Sequence, residues 1–172
     1  MPKEQMCGVT MQPHPIFANI PMPTAFDLDQ FHCIWLRGVN CQEDFAAVME
    51  TAPTLSGLFG NTWPDGLTLA ENEIDLHWHE REFTMQRSFA WIIRDRADAY
   101  LGCCYLMPSW RDLNVAKATY WIVKPEENAA TLTAFEPLFE AWLKSLLPPT
   151  LRFNVSSNGP AANTGETERE TA

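Results

Sequence analysis

Three apolar segments, separated by short turns, precede a longer stretch with helical spacing. SFAWIIRD, AYLGCCYLMP and VAKATYWIVK are rich in β-branched and aromatic residues and are bounded by polar turns or prolines, as is typical of strands. Beyond them, six apolar residues recur at intervals of three and four: Leu132, Phe135, Phe139, Trp142, Leu143 and Leu146. This pattern predicts an antiparallel meander followed by a helix that packs on it, which is an α+β arrangement.

The segments on either side of this unit predict further elements. FHCIWLR at 31–37 has the apolar content of a short first strand, and Asn40 precedes QEDFAAVME, which is typical of an N-capped helix. The stretch 51–65 contains two prolines and two glycines and is predicted to be mostly loop. After the double proline at 148–149, TLRFNVSS is predicted to form one more strand.

A helix from Thr68 to about Gln86 has two apolar lines. It opens with a capping box, Thr68 to Glu71. Leu69, Leu76 and Phe83 form one line, and Ile74, Trp78 and Met85 form another on nearly the opposite side. One line is expected to face the sheet. The other has three candidate partners: the N-terminal arm, a second subunit in a homodimer, or a ligand cleft.

Composition divides the chain into three parts and narrows the classes of function. Residues 1–30 contain five prolines and are predicted to form an extended arm, residues 31–157 a single domain, and residues 158–172 a disordered acidic tail. The net charge of −10 argues against nucleic acid as a partner. No signal peptide and no membrane span is predicted. Five irregularly spaced cysteines indicate reduced thiols and a cytoplasmic location.

The residues that could bind metal or act as nucleophiles favour structural roles. His77 and His79 lie two residues apart on a helix and cannot share a metal ion, while Glu73 and His77 share a face but are too few ligands. No metal site is therefore predicted. Cys103 and Cys104 are neighbours on a strand, where a cysteine is usually a small core residue.

The junction between the third strand and the last helix, 123–131, is a candidate anion site. A strand followed by a helix N-terminus leaves backbone N–H groups unpaired, with the positive end of the helix dipole behind them. The alternative is an ordinary connection capped by Asn128, Thr131 or Thr133, with a second capping box from Thr133 to Glu136.

The order of these segments resembles the GNAT superfamily of acyl-CoA-dependent N-acetyltransferases. TWPDGLTLAENEIDLHWHEREFTMQRSFAWIIRD, YLGCCYLMP and TYWIVKPE carry the likeness, which spans about 31–147, with a fainter likeness in NVSSNGPAA. The family's pyrophosphate loop has the pattern Gln/Arg-x-x-Gly-x-Gly/Ala. Here Asn128, Thr131 and Thr133 stand at its defining positions, so the loop is degenerate, and Glu126 and Glu127 add negative charge.

The resemblance implies a mixed, mostly antiparallel sheet flanked by helices and an acyl transfer from acyl-CoA to an amine of a small molecule or peptide. The acyl-CoA would lie along the strand end and the following helix, at Trp121, Ile122, Val123, Lys124, Asn128, Ala129, Thr131 and Thr133. Tyr120 and Glu73 are the candidates for the base that takes the amine proton. The rival hypothesis is a GNAT-fold module that has lost catalysis and binds a ligand or protein through the second line of the 68–86 helix.

Overall fold

A computed structural model describes residues 12–160 of the chain. The strands are β1 (Ala25–Leu28), β2 (Phe31–Trp35), β3 (Phe89–Asp95), β4 (Tyr100–Pro108), β5 (Val115–Ile122) and β6 (Arg152–Ser157). The helices are α1 (Cys41–Leu55), α2 (Leu69–Thr84) and α3 (Ala129–Leu146), and one turn of 3-10 helix, Gly38–Asn40, precedes α1. The elements predicted from the apolar pattern are therefore confirmed, with small differences at their ends.

The six strands form one sheet in chain order, β1-β2-β3-β4-β5-β6. Every neighbouring pair is antiparallel except β5 and β6, which are parallel. The α3 helix makes the crossover that a parallel pair requires. This is the mixed α+β sheet with flanking helices that the sequence predicts.

Two apolar clusters cover the two faces of the sheet. On one face, Phe135, Phe139 and Leu143 of α3 pack on strand residues that include Trp91 and Tyr120. On the other face, residues of α1 and α2 pack on Leu36, just after β2, and on strand residues of the opposite parity: Ala90, Ile92, Cys103, Tyr105 and Trp121. The alternation of side chains along the strands thus divides their buried residues between the two faces of the sheet.

Three local features differ from the sequence-based expectations. The segment predicted as an arm contains β1, which pairs with β2, and the buried Phe17. Helix α1 continues through Pro53 to Leu55, into the stretch predicted as loop. A proline is tolerated there because it lies in the last turn, where only one backbone bond is lost. Residues 158–160, which were predicted to begin the disordered tail, are described by the structure and follow β6 directly. Residues 161–172 lie outside the described part.

The two apolar lines of α2 have different environments. Leu76 and Phe83 are buried against the sheet, as one line requires, but Leu69 at the start of that line is exposed. On the other line Met85 is buried, whereas Ile74 is 71% exposed and Trp78 is 44% exposed. The described part of the N-terminal arm therefore does not cover Ile74 and Trp78.

Candidate active site

The parallel strands β5 and β6 separate at their carboxyl ends. Their paired register ends at Tyr120 and Ser157. One residue further, the Asn158 side chain takes the place of the neighbouring strand: its oxygen accepts from the Ile122 N–H (3.0 Å), and its amide donates to the Ile122 carbonyl (2.9 Å). The same amide donates to the Thr54 hydroxyl of α1 (3.0 Å). A side chain therefore bridges the strands where backbone pairing stops.

Gly102 allows β4 to approach β5 closely at the same level. It pairs with Ile122, and its φ of +152° lies in a region that L side chains rarely adopt. A Cβ at this position would lie 1.9 Å from the Trp121 carbonyl oxygen. The absence of a side chain at Gly102 is thus a condition for the position of the β5 end.

The strand-end residues predicted to bind pantetheine already have intramolecular partners. Trp121 is buried and pairs with Cys103 of β4, and the Val123 N–H donates to the Leu101 carbonyl (2.8 Å). The Lys124 N–H makes a long contact of 3.4 Å with the Thr51 hydroxyl. Since the Ile122 N–H is held by Asn158, the expectation that 121–123 offers free donors does not agree with these contacts. The Lys124 N–H is the least firmly bound of this group.

The first turn of α3 presents backbone N–H groups without a side-chain cap. Asn128 is the N-cap residue, but its side-chain amide donates backwards to the Val123 (2.8 Å) and Lys124 (3.4 Å) carbonyls. The Thr133 hydroxyl bonds to the Ala129 carbonyl (2.9 Å), so the predicted capping box from Thr133 to Glu136 is wrong. Since Ala129 and Ala130 are exposed, this helix end can accept an anion from solvent.

The charges around this helix end are mostly negative. The Lys124 ammonium lies 2.6 Å from the Glu50 carboxylate, and this hydrogen bond raises the pKa of Lys124. Glu126 and Glu127 are exposed in the turn that precedes α3. An anion at Ala129–Thr131 would therefore be attracted by the amides and the helix dipole and repelled by the glutamates.

Tyr120 and Glu73 do not form one site. The Tyr120 side chain is buried under α3 and donates its hydroxyl hydrogen to the Glu136 carboxylate (2.6 Å). The pKa of Tyr120 is raised mainly by burial and, to a smaller extent, by this hydrogen bond. A raised pKa opposes the role of a base at neutral pH. Glu73 is exposed on α2. That helix packs through Leu76 on the face of the sheet opposite to α3, and Asn72 of the same helix contacts Asp44 of α1.

The histidines of α2 pair with acids on their own helix. His77 lies 3.5 Å from Glu80, and His79 lies 3.5 Å from Asp75. Glu73 and His77, which share a helix face, do not form either of these two pairs. Within residues 12–160, no group of three or more histidine, cysteine, aspartate or glutamate side chains could hold a metal ion.

A buried polar cluster under α1 was missed by the sequence analysis. Asp44 accepts hydrogen bonds from the Tyr100 hydroxyl (2.6 Å) and from the Asn72 amide (2.8 Å), and Cys103 lies beside both Asp44 and Tyr100. Burial raises the pKa of Asp44, and it raises the pKa of Cys103 well above that of a free thiol. Asp44 lies in the first turn of α1, where an acid at a helix N-terminus is ordinary, so the sequence carries no separate signal for its burial.

Comparison with known proteins gives matches at the level of structure. No protein-family model and no curated protein sequence matches the chain. Among solved structures, RimL, a ribosomal L7/L12 alpha-N-protein acetyltransferase, aligns with a TM-score of 0.60 and 9% identity over 79% of this chain and 75% of RimL. The Microcin C7 self immunity acetyltransferase MccE, solved with acetyl-CoA and AMP, aligns with a TM-score of 0.58 and 9% identity over 78% and 73%.

A third match points to the same fold. The acetyltransferase from Salmonella typhimurium that modifies the N-terminal serine of ribosomal protein L7/L12 aligns with a TM-score of 0.56 and 11% identity, over 79% of this chain and 73% of the other. The chain therefore has the fold of the GNAT acetyltransferases. At this level of identity the likeness shows the fold alone. Within the described residues, no helix is long and apolar enough to cross a membrane.

Proposed function

We propose that this protein is an N-acetyltransferase that transfers an acyl group from acyl-CoA to an amine. The observation that carries the proposal is the separation of β5 and β6 beside an uncapped α3 N-terminus, in a fold that solved acetyltransferases share. MccE was solved with acetyl-CoA, RimL is a ribosomal L7/L12 alpha-N-protein acetyltransferase, and the Salmonella protein modifies the N-terminal serine of ribosomal protein L7/L12. For this chain, a peptide amine and a small-molecule amine are both candidate acceptors.

Some groups at this end of the sheet favour acyl-CoA binding, and others oppose it. The amides of Ala129, Ala130 and Thr131 would hold the pyrophosphate, assisted by the helix dipole. The Asn158 side chain and the Lys124 N–H would border the pantetheine where the strands separate. Glu126 and Glu127 oppose an anion, so weak binding is expected.

The contribution of the protein to acyl transfer would be mainly alignment. Holding an amine against a thioester converts a bimolecular encounter into a reaction within one complex. The weakly held Lys124 N–H would stabilise negative charge on the thioester oxygen, because the N–H groups of Ile122 and Val123 already have partners. Tyr120, being protonated, suits proton donation better than proton abstraction, and Glu73 stays a candidate base only as a prediction from the sequence.

The rival function is a GNAT-fold interaction module without catalysis. The exposed Ile74 and Trp78 on α2 favour it, because large apolar side chains that are adjacent on a helix commonly mark contact surfaces. The partner would be another protein or a second copy of the chain, and the degenerate loop would then carry no function.

Calorimetric titration with acetyl-CoA distinguishes the two functions. The parent chain should bind weakly, and Glu126→Gln with Glu127→Gln should bind about three- to tenfold more tightly, since two exposed like charges are removed. Glu140→Gln, about three turns along α3 from its N-terminus, is the control and should leave the affinity unchanged. Absence of binding by the parent and by the double variant at millimolar acetyl-CoA would overturn the proposal.

A further inference from the structure

A small aromatic cavity opens on the face of the sheet that α1 and α2 cover. It has a volume of about 150 Å³ and lies between the loop after α1, the middle of α2 and the end of β4. Its lining residues are Phe59, Asn61, Trp63, Asp75, His79, Tyr105 and Met107. None of these residues belongs to the strand end or the helix end described above.

The aromatic rings of the cavity stand at steep angles to one another. Phe59 is nearly perpendicular to Trp63 (73°) and to Tyr105 (85°), with ring centroids 5.3 Å apart in both pairs. His79 lies 5.5 Å from Tyr105 at 46°. All four rings line the same cavity, so the cavity is bordered largely by aromatic surface. Such aromatic boxes favour a cation over a neutral group of the same size.

One lining side chain carries a negative charge. The Asp75 carboxylate belongs to the cavity wall and lies 3.5 Å from the His79 imidazole. A carboxylate beside π faces adds a charge-assisted hydrogen bond for an ammonium group. The net charge of −10 also attracts cations to the molecule as a whole. Shape and charge therefore agree on a cationic occupant.

The cavity is physically connected to the proposed acyl-CoA site. The Tyr105 hydroxyl accepts a hydrogen bond from the Trp121 indole N–H (3.1 Å). Trp121 directly precedes Ile122, whose backbone groups are held by Asn158 where β5 and β6 separate. A molecule in the cavity would thus rest against a ring that contacts the same strand end from the α1–α2 face.

We propose that this cavity binds the ammonium group of an alkylamine, and that it selects cationic amines as the acceptor class. The role of the bound amine as acceptor rests on the proposed function. The binding of an ammonium group depends only on the cavity. The volume matches the end of an alkylammonium chain, such as a lysine side chain or a simple aliphatic amine, and is too small for a folded peptide terminus with bulky side chains.

The test compares n-butylammonium chloride with n-butanol, which has nearly the same shape and no charge. Each is titrated into the full chain at matched ionic strength, and the cavity amides are followed by two-dimensional NMR. Butylammonium should shift the signals of Trp63, Asp75 and Tyr105 and bind at least about tenfold more tightly than butanol. Equal binding of the two probes, or no shift of these signals, would overturn the proposal.

Two variants and a control refine the same titration. Asp75→Asn keeps the shape and removes the charge, so it should weaken butylammonium binding by about tenfold or more. Phe59→Leu keeps an apolar wall without a π face and should weaken it by about threefold or more. Asp65→Asn, an exposed acid outside the lining residues, should have no effect. Equal affinities in all three variants, each with the thermal midpoint of the parent, would contradict the cavity site.

A separate titration of the same samples with acetyl-CoA keeps the two proposals distinguishable. Butylammonium binding without acetyl-CoA binding would retain the amine cavity and remove the acyl transfer. Acetyl-CoA binding without preference for butylammonium would retain the acyl-CoA site and remove the amine cavity.

Discussion

At the scale of single residues, the Asn158 side chain replaces a neighbouring strand at the end of β5. It satisfies both backbone groups of Ile122 and joins them to Thr54 of α1. This role could not be predicted from the sequence, because an asparagine between serine and glycine is typical of a loop or tail. Only the end of the β5–β6 pairing, a tertiary feature, reveals what the side chain replaces.

Asn158→Ala should lower the free energy of unfolding by about 2–3 kcal/mol, since two buried backbone groups of Ile122 lose their partner. Chemical denaturation measures this change. Asn154→Ala, an exposed position of the same strand, serves as control and should change stability by less than about 0.5 kcal/mol. Similar losses in the two variants would show that the Ile122 bonds are not what Asn158 contributes.

Asp44→Ala should cost about 2–3 kcal/mol, because the Tyr100 hydroxyl and the Asn72 amide lose their acceptor in a buried site. Burial raises the pKa of Asp44 in the folded state, so the folded protein binds more protons than the unfolded chain between the ordinary and the raised value. In that window the titration of Asp44 lowers stability as pH rises.

The cost of Asp44→Ala should therefore be greatest below about pH 4 and should shrink as pH rises through the raised pKa. Denaturation of parent and variant over a pH series measures the difference. Asp65→Ala, at an exposed loop position, should show no such trend. A cost that grows with pH would mean that the folded-state pKa of Asp44 is lowered instead.

At the scale of the elements, apolar periodicity predicted most of the fold. The meander and α3 follow it closely, since β-branched and aromatic runs and a three-four stripe have few alternatives. The four-residue β1 was missed because the prolines that precede it obscure so short a pattern. The exposure of Ile74 and Trp78 could not be predicted, because periodicity identifies an apolar line and says nothing of what covers it.

Trp142 of α3 packs against β1 and is not at the centre of the buried stripe. It lies on the apolar stripe of α3, yet it is half-buried at the side of the sheet, where its ring stacks on Phe26 (3.8 Å) and meets Trp91 edge-on (5.6 Å). Phe135, Phe139 and Leu143 form the fully buried part of the stripe. Trp142 thus joins α3 to β1, an element that the sequence did not predict.

Trp142→Ala should lower the free energy of unfolding by about 3 kcal/mol, near the lower end for buried aromatic truncations, because the ring keeps some solvent contact. Trp110→Ala is the matched control, since Trp110 is 77% exposed, and it should cost less than about 0.5 kcal/mol. Thermal and chemical denaturation measure both. Equal midpoints for the two variants would show that the contact between α3 and β1 does not stabilise the fold.

At the scale of the whole molecule, the fold was predictable and the chemistry of the site was predictable only in outline. The sequence located the strand–helix junction, because a strand, a turn and a helix start are local features. It could not show that Asn128 turns its side chain away from α3, or that Asn158 and Leu101 occupy the strand-end N–H groups. These contacts join positions that are distant in the chain or depend on one rotamer.

The division into an arm, a domain and a tail stays a prediction for residues 1–11 and 161–172, which lie outside the described part. Within residues 12–160, the proposed acyl-CoA site at β5, β6 and α3 is linked to the aromatic cavity beneath α2 by the hydrogen bond between Trp121 and Tyr105. We propose that acyl-CoA binds at the first of these two places.

The most direct test is an NMR titration of the full chain with acetyl-CoA that follows the backbone amides one by one. The amides of Ala129, Ala130 and Thr131 should shift on binding of the pyrophosphate, together with those of Ile122 and Lys124 at the strand end. S-acetylpantetheine, which lacks the pyrophosphate, should shift the strand-end amides alone. Unshifted α3 amides at millimolar acetyl-CoA, or shifts confined to the exposed face of α2, would contradict the acetyltransferase function.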